Sequence, residues 1–112
     1  MLEIQLLGGF QVREDAWTLG GIDSPRLQSL LARLVLYPGM PQPRRQLSFL
    51  YWPDSTEQQA RTNLRQLIYK LRLALPEFER YVFDGGQALT WRADAPYTLD
   101  VVEFKRAAEQ PT

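Results

Sequence analysis

Apolar and polar residues alternate from the start of the chain. Leu2, Ile4 and Leu6 are separated by Glu3 and Gln5, the two-residue period of a half-buried strand. Gly8-Gly9 marks a turn, Phe10 and Val12 resume the alternation, and Glu14-Asp15 allows a second turn before Trp17 and Leu19. The pattern predicts a small antiparallel meander, closed by Gly20-Gly21. The spacing then becomes helical. Leu27, Leu30, Leu31 and Leu34 stand at i, i+3, i+4 and i+7, with Ser24 as N-cap and Pro25 at the first helical position, where its missing N–H costs nothing. Tyr37-Pro38-Gly39 ends this helix, and Pro41 and Pro43 mark a connector. A second helix, from Pro43 to about Tyr51, is expected to bury Leu47, Leu50 and Trp52 and to stop at Pro53.

A third helix is predicted from Ser55 or Thr56, each of which has a glutamine three residues on, the spacing of a capping box. It runs without Gly or Pro to Leu75, and Pro76 closes it. Tyr81-Val82-Phe83 and Ala88-Leu89-Thr90-Trp91 flank Asp84-Gly85-Gly86, which reads as a β-hairpin. Beyond Pro96, Asp100 and Glu103 have capping-box spacing ahead of a last short helix with Phe104 on its inner side. The order is strands, three helices, hairpin, helix. That predicts an α+β fold of the winged helix-turn-helix kind: an N-terminal antiparallel β-sheet, three helices and a C-terminal β-hairpin wing. In such a layout the second helix braces the third, which can lie in a DNA major groove.

At 100° per residue, Ala60, Leu64, Leu67, Ile68, Leu71 and Leu75 form one stripe of the third helix, which must face the core. The opposite face then presents Thr62, Arg65, Gln66, Tyr69 and Leu73, flanked by Arg61 and Arg72 on one side and Asn63 and Lys70 on the other. No acid occurs from position 58 to 75. Arg can donate two hydrogen bonds to guanine and Gln can pair bidentately with adenine, while Thr can contact a base edge or a thymine methyl. Tyr69 can reach a phosphate or stack, and Arg61, Lys70 and Arg72 would meet the phosphates lining the groove. Arg44 and Arg45, at the start of the second helix, can hold a phosphate together with its free N–H groups. A solvated helix of no special function also shows such an outer face. The conjunction of an acid-free face, a following hairpin and a basic surrounding segment favours double-stranded DNA as the partner.

The net charge is zero, yet its distribution changes the picture. Residues 1–25 carry one base and four acids, residues 26–72 eight bases and two acids, and residues 73–112 four bases and seven acids. The middle is therefore a basic block, and local potential decides whether a phosphate backbone is attracted. The 112 residues, 45% of them hydrophobic, make one ordinary domain with a real core. With no cysteine and no histidine there is no thiolate or imidazole metal site and no Ser-His-Asp triad. An enzyme is not expected, nor a cofactor or metal. Asp54 and Glu57 read as helix-start acids, Trp17, Trp52 and Trp91 as core or strand-packing residues, and the Gly pairs as turns. The most apolar stretch, Leu30 to Tyr37, is interrupted by Arg33 and far short of a membrane span. With no basic leader ahead of Glu3, a cytoplasmic protein is expected.

The segments Leu6-Leu7-Gly8-Gly9-Phe10, Ser24-Pro25-Arg26, Leu50-Tyr51-Trp52-Pro53-Asp54 and Ala60-Arg61-Thr62-Asn63-Leu64-Arg65-Gln66, running on to Lys70-Leu71-Arg72, together carry a resemblance. Over residues 2 to about 104 the chain is similar to the N-terminal domain of bacterial transcriptional activators of the antibiotic-regulatory-protein type, which hold an OmpR/PhoB-like winged-helix DNA-binding domain. The resemblance implies a four-stranded antiparallel N-terminal sheet, a third helix in the major groove and a wing reaching toward the adjacent minor groove. It also implies tandem pairs on direct repeats, so that a second copy is a partner. Carried onto the matching positions, it directs Thr62, Arg65, Gln66, Tyr69 and Lys70 toward DNA. A helical activation domain in such regulators begins at a motif similar to Asp100-Val101-Val102-Glu103-Phe104. Residues 1–99 thus read as the winged-helix domain and residues 100–112 as the start of a following helix or a linker to a downstream domain. Two positions depart from the family pattern. Leu73 stands where members often carry another base, and the turn Asp84-Gly85-Gly86-Gln87 holds an acid and no Arg or Lys, leaving Arg80 or Arg92 to take its place. The zero net charge and the acidic turn suggest the alternative, a winged-helix module that docks a protein such as an RNA polymerase subunit.

Overall fold

The structure, a computed structural model, describes residues 1–109. The last three positions of the segment expected over 100–112 lie outside the described residues. The chain is a mixed α+β fold of two compact units, one formed by Met1–Gly20 with the residues from Pro96 onward, the other by Gly21–Ala95.

In the first unit, β1 (Leu2–Gln5) and β2 (Gln11–Glu14) pair antiparallel with Ile4 opposite Val12. Leu2, Ile4 and Val12 are buried while Glu3 and Gln5 face solvent, as the alternation requires. A two-residue strand, β3 (Trp17–Thr18), pairs with β2 at the edge, after a turn in which Asp15 takes a left-handed φ of 53°. Asp tolerates that conformation better than most residues. Trp17 is 77% exposed, contrary to its expected place in strand packing, because nothing covers its face of a two-residue edge strand.

The resemblance implied a four-stranded antiparallel sheet. The sheet does have four strands, but the fourth, β7 (Tyr97–Leu99), joins from the far end of the chain and runs parallel to β1, with Leu99 beside Ile4. This pairing stops at Ile4, and Asp100 satisfies the amides beyond it. Its carboxylate accepts from Leu6 N–H at 2.9 and 3.1 Å and from Leu7 N–H at 2.8 Å. Buried and half-buried amides need an acceptor wherever a ladder ends. The helix α5 (Asp100–Glu109) follows at once, but Asp100 serves β1 rather than α5, and no residue of α5 is buried. Phe104, expected inward, is 65% exposed.

The second unit is built on helices. In α1 (Pro25–Leu36) the Ser24 hydroxyl accepts from Leu27 N–H, and Leu27, Leu30, Leu31, Leu34 and Val35 are buried. The helix α2 (Arg44–Tyr51) buries Leu47 and Ser48. Its inward face runs through Arg44, Leu47, Ser48 and Tyr51, so Leu50 falls beside it and is exposed, and Trp52 is only half-buried. In α3 (Glu57–Ala74) Thr56 caps Gln59 N–H, and the predicted stripe of Ala60, Leu64, Leu67, Ile68 and Leu71 is buried, with Leu75 beyond it.

Two elements of this unit were not predicted. A single-turn helix, α4 (Phe78–Tyr81), buries Phe78 and Tyr81, taking Tyr81 out of the hairpin strand and raising the helices to five among the described residues. The predicted connector also contains β4 (Gln42–Pro43), which pairs with β6 (Ala88–Trp91) on the edge opposite β5 (Val82–Asp84). Proline in so short a strand is tolerated only at such an edge. The predicted hairpin is present, its first strand shifted by one residue to Val82–Asp84, with Val82 opposite Trp91 and Asp84 opposite Leu89. Trp91 is fully buried and stacks on Tyr81 at 5.6 Å. Among the described residues no helix is long and apolar enough to cross a membrane.

Replacing Asp100 by alanine leaves the Leu6 and Leu7 amides without their acceptor. Thermal or urea unfolding is expected to show a loss of about 1–3 kcal/mol, with Asp100→Asn falling between alanine and the parent because one carbonyl acceptor remains.

Candidate nucleic-acid interface

Because its apolar stripe is buried, α3 turns its other side to solvent. Arg61, Arg65, Gln66, Tyr69, Lys70, Arg72 and Leu73 are exposed there, and Thr62 is half-buried at the margin. Tyr69 is 60% and Leu73 68% exposed, so each shows a large apolar surface to any partner of this face. Around the N-terminal half, Glu57, Gln58, Arg61, Thr62 and Arg65 line a shallow open hollow of about 490 Å³.

The expected site residues differ in what already holds them. Among the described residues Arg65, Gln66, Tyr69 and Lys70 make no side-chain hydrogen bond or ion pair. Arg61 reaches Glu57 at 3.2 Å, and Arg45 approaches the same carboxylate at 3.9 Å. Both are exposed pairs, of a kind worth about 0–1 kcal/mol and easily exchanged for another anion.

Arg44 and Arg72 are differently placed. Strand β6 lies between β4 and β5, with its Leu89 opposite both Gln42 and Asp84. The chain leaving β4 therefore enters α2 close to the hairpin turn. There Arg44 N–H donates to the Gln87 carbonyl at 2.9 Å, and Arg44 Nη2 donates to Asp84 Oδ2 at 2.8 Å. Arg72, from the last turn of α3, reaches the same oxygen at 3.4 Å and Glu79 at 3.0 Å, with its guanidinium over the Phe78 ring. The other Asp84 oxygen accepts from Gly86 N–H at 2.9 Å. One carboxylate thus ties the hairpin turn to the start of α2 and the end of α3. The sequence reading of Arg44, a phosphate contact shared with the α2 amides, has to reckon with an amide and a guanidinium both engaged by the hairpin.

Asp84 is the residue that sequence reasoning missed, having read it as a turn acid. The Asp-Gly pair was legible. Its two arginine partners, forty and twelve positions away, were not, since the register of β4, β6 and β5 brings Arg44 to it and the end of α3 brings Arg72. Arg80 and Arg92, the alternative cations near the hairpin base, are also engaged. Arg80 pairs with Glu77, and Arg92 donates to the Glu79 carbonyl and lies over Phe83. Trp52 stands beside Arg26, whose guanidinium lies 5.2 Å from its ring centroid.

No family model matches the chain, and no curated protein matches it.

Burial pushes the Asp84 carboxyl up, but the Gly86 amide, the hydrogen bond and charge of Arg44 and the charge of Arg72 together outweigh it and hold the group below its ordinary value of 3.8. The charged groups facing it are Arg44 from α2 and Arg72 from α3, with Glu79 of α4 acting through Arg72. A carboxyl lowered on folding contributes stability that is fully present above the unfolded value and lost as pH falls through the folded one. Asp84→Asn is expected to be less stable than the parent at neutral pH, with the gap closing as pH drops below 3.8. Denaturant titrations of both proteins across that range check it. A gap that persists unchanged in acid would show that the carboxylate charge is not what holds the turn.

Proposed function

We propose that this chain binds double-stranded DNA sequence-specifically, as the winged helix-turn-helix domain of a bacterial transcriptional regulator. In this assignment α2 and α3 form the helix-turn-helix, α3 enters the major groove, and β5 and β6 form the wing. The observation that carries it is the outward face of α3: exposed Arg65, Gln66, Tyr69 and Lys70, unengaged among the described residues, on a helix with no acid from residue 58 onward. Arg65, Gln66 and Thr62 have the donors and acceptors that read base edges, and Tyr69 can reach a phosphate or stack. Arg45, Arg61 and Lys70 supply charge for the phosphates, the first two by exchanging weak contacts with Glu57. Arg44 and Arg72 fix the wing through Asp84, and that pairing also removes the bare acid that the turn sequence suggested.

The similarity to the antibiotic-regulatory-protein type of activator agrees with this function. It extends it to residues 1–99 as the DNA-binding domain, to a downstream segment starting in 100–112, and to tandem binding of two copies. One feature favours the alternative of a protein-docking module. Tyr69 and Leu73 are apolar and exposed on the same face, as in surfaces that bury aromatic anchors against a protein. Retention on heparin at moderate salt separates the two, since a DNA binder holds and a protein docker flows through.

Selection of binding sites from random duplexes is expected to return one motif, repeated head to tail if two copies bind. On that motif Arg65→Ala or Gln66→Ala should each lose about 1–3 kcal/mol and relax preference at one base pair, while Lys70→Ala weakens all duplexes alike. With three or four phosphates neutralised, log affinity should fall against log salt with a slope of about −3 to −4. Equal, salt-insensitive binding by the parent and an Arg65→Ala, Lys70→Ala double variant would refute the assignment.

A further inference from the structure

The two shoulders of the α3 face are unlike. On one, Arg72 is held by Asp84 and Glu79, and Arg61 lies beside Glu57 in a weak exposed pair. Along the other runs an open groove of about 370 Å³, whose polar and aromatic walls are Arg26 from α1, Trp52 after α2, and Asn63, Gln66 and Lys70 from α3. No carboxylate lines it.

The Arg26 guanidinium is held in place from two directions. It lies over the Trp52 ring, and its Nη2 donates to the Tyr51 carbonyl at 3.3 Å. That leaves most of its five N–H donors free. Lys70, on the opposite wall, has no acid beside it among the described residues, and Gln66 is likewise unengaged. Asn63 accepts from Gln59 through its oxygen, so its amide nitrogen keeps its donors. The Ser24 oxygen accepts from Leu27 N–H, which leaves its O–H as one further donor, and Pro25 brings no N–H, so recognition in the groove falls to side chains. Two fixed-sign charges and several donors, with no competing acid, suit an oxyanion. Arg26 covers one face of the Trp52 ring, so that face is not open to stack a base.

We propose that this groove is a phosphodiester site, taking a backbone phosphate of the same duplex whose bases meet the outward face of α3. Arg26 and Lys70 grip the phosphate oxygens from either wall, with Asn63 as a neutral donor. The proposal rests on the DNA-binding assignment and adds Arg26, Asn63 and the Trp52 support to the interface. Gln66 and Lys70 make the connection, since each belongs both to the groove and to the exposed face of α3. Charge that a count of basic residues would spread evenly is least opposed on this shoulder, because on the other one Arg72 is held by Asp84 and Glu79 and Arg61 has Glu57 beside it.

The test is fluorescence anisotropy of the full chain with a selected duplex and an unrelated one, across a salt series. Arg26→Ala should weaken both duplexes alike, about five-fold at physiological salt, and reduce the magnitude of the log–log salt slope by about 1. Arg26→Lys should keep the slope and recover part of the affinity. Unfolding curves of each variant separate this from a loss of fold, and an unchanged base preference in a fresh site selection excludes a base contact. In parallel, nuclear magnetic resonance follows the Arg26 and Lys70 side chains of the parent protein as pyrophosphate is added. Duplex binding whose salt slope is indifferent to Arg26→Ala overturns the groove while leaving the DNA assignment standing. Pyrophosphate shifts at Arg26 and Lys70 without any duplex binding by the parent overturn the DNA assignment, and the duplex backbone as the ligand with it. No response in either experiment overturns both.

Discussion

The apolar stripe of α3 constrains the rest of its unit. Leu64, Leu67, Ile68 and Leu71 are each at most 6% exposed, and burying an aliphatic side chain of this size is worth roughly 1.5–3 kcal/mol. Rotating the helix by one residue would bring Arg65 or Arg72 toward the core and expose leucines, a change far beyond what surface contacts could offset. The orientation of the basic face is therefore set from behind, by hydrophobic burial, and not by the charges themselves. With α3 held in this way, α2 can meet it only through the side that carries Leu47 and Ser48. Its remaining apolar residues, Phe49 and Leu50, stay outside.

Within that frame the acids are sorted against particular cations. Asp84 and Glu79 hold Arg72, Asp84 holds Arg44, and Glu57 lies beside Arg61 and Arg45. Arg65 and Lys70 have no such companion among the described residues. A chain of zero net charge thereby keeps a local positive surface, since screening in water confines the influence of each exposed charge to about 8–10 Å. The Asp84 junction has a second consequence. It ties the hairpin turn to both helices through one partly buried carboxylate. A turn that reads as acidic is, in place, the neutral centre of a small ion cluster.

The parts of the fold legible in the sequence are those whose signal is local. The alternation of Leu2, Ile4 and Val12, the caps at Ser24 and Thr56, the stripe of α3 and the Asp-Gly turn each depend on residues a few positions apart, and each is present. The parts that were not legible depend on distant partners. β4 is two residues including a proline and exists only because β6 offers it an edge. β7 joins β1 across nearly the whole chain, and its parallel sense is a matter of topology that no periodicity encodes. The burial expected for Leu50, Phe104 and Trp17 failed for one reason: an apolar residue in a short element is covered only if a neighbour happens to face it.

The candidate interface divides along the same line. Helical periodicity and the absence of acids from 58 to 75 suffice to name the side chains on the outward face of α3, because a helix translates spacing directly into direction. Which of those cations remain free is another matter. Arg44 and Arg72 look equivalent to Lys70 along the chain, and they differ only because three short strands and a helix end converge on Asp84. Arg26 comes to share a groove with Lys70 in the same way, through the packing of α1 and α3. Direction along one helix is a short-range property of the backbone, whereas charge pairing is decided by proximity in space, and proximity exists only once the chain has folded.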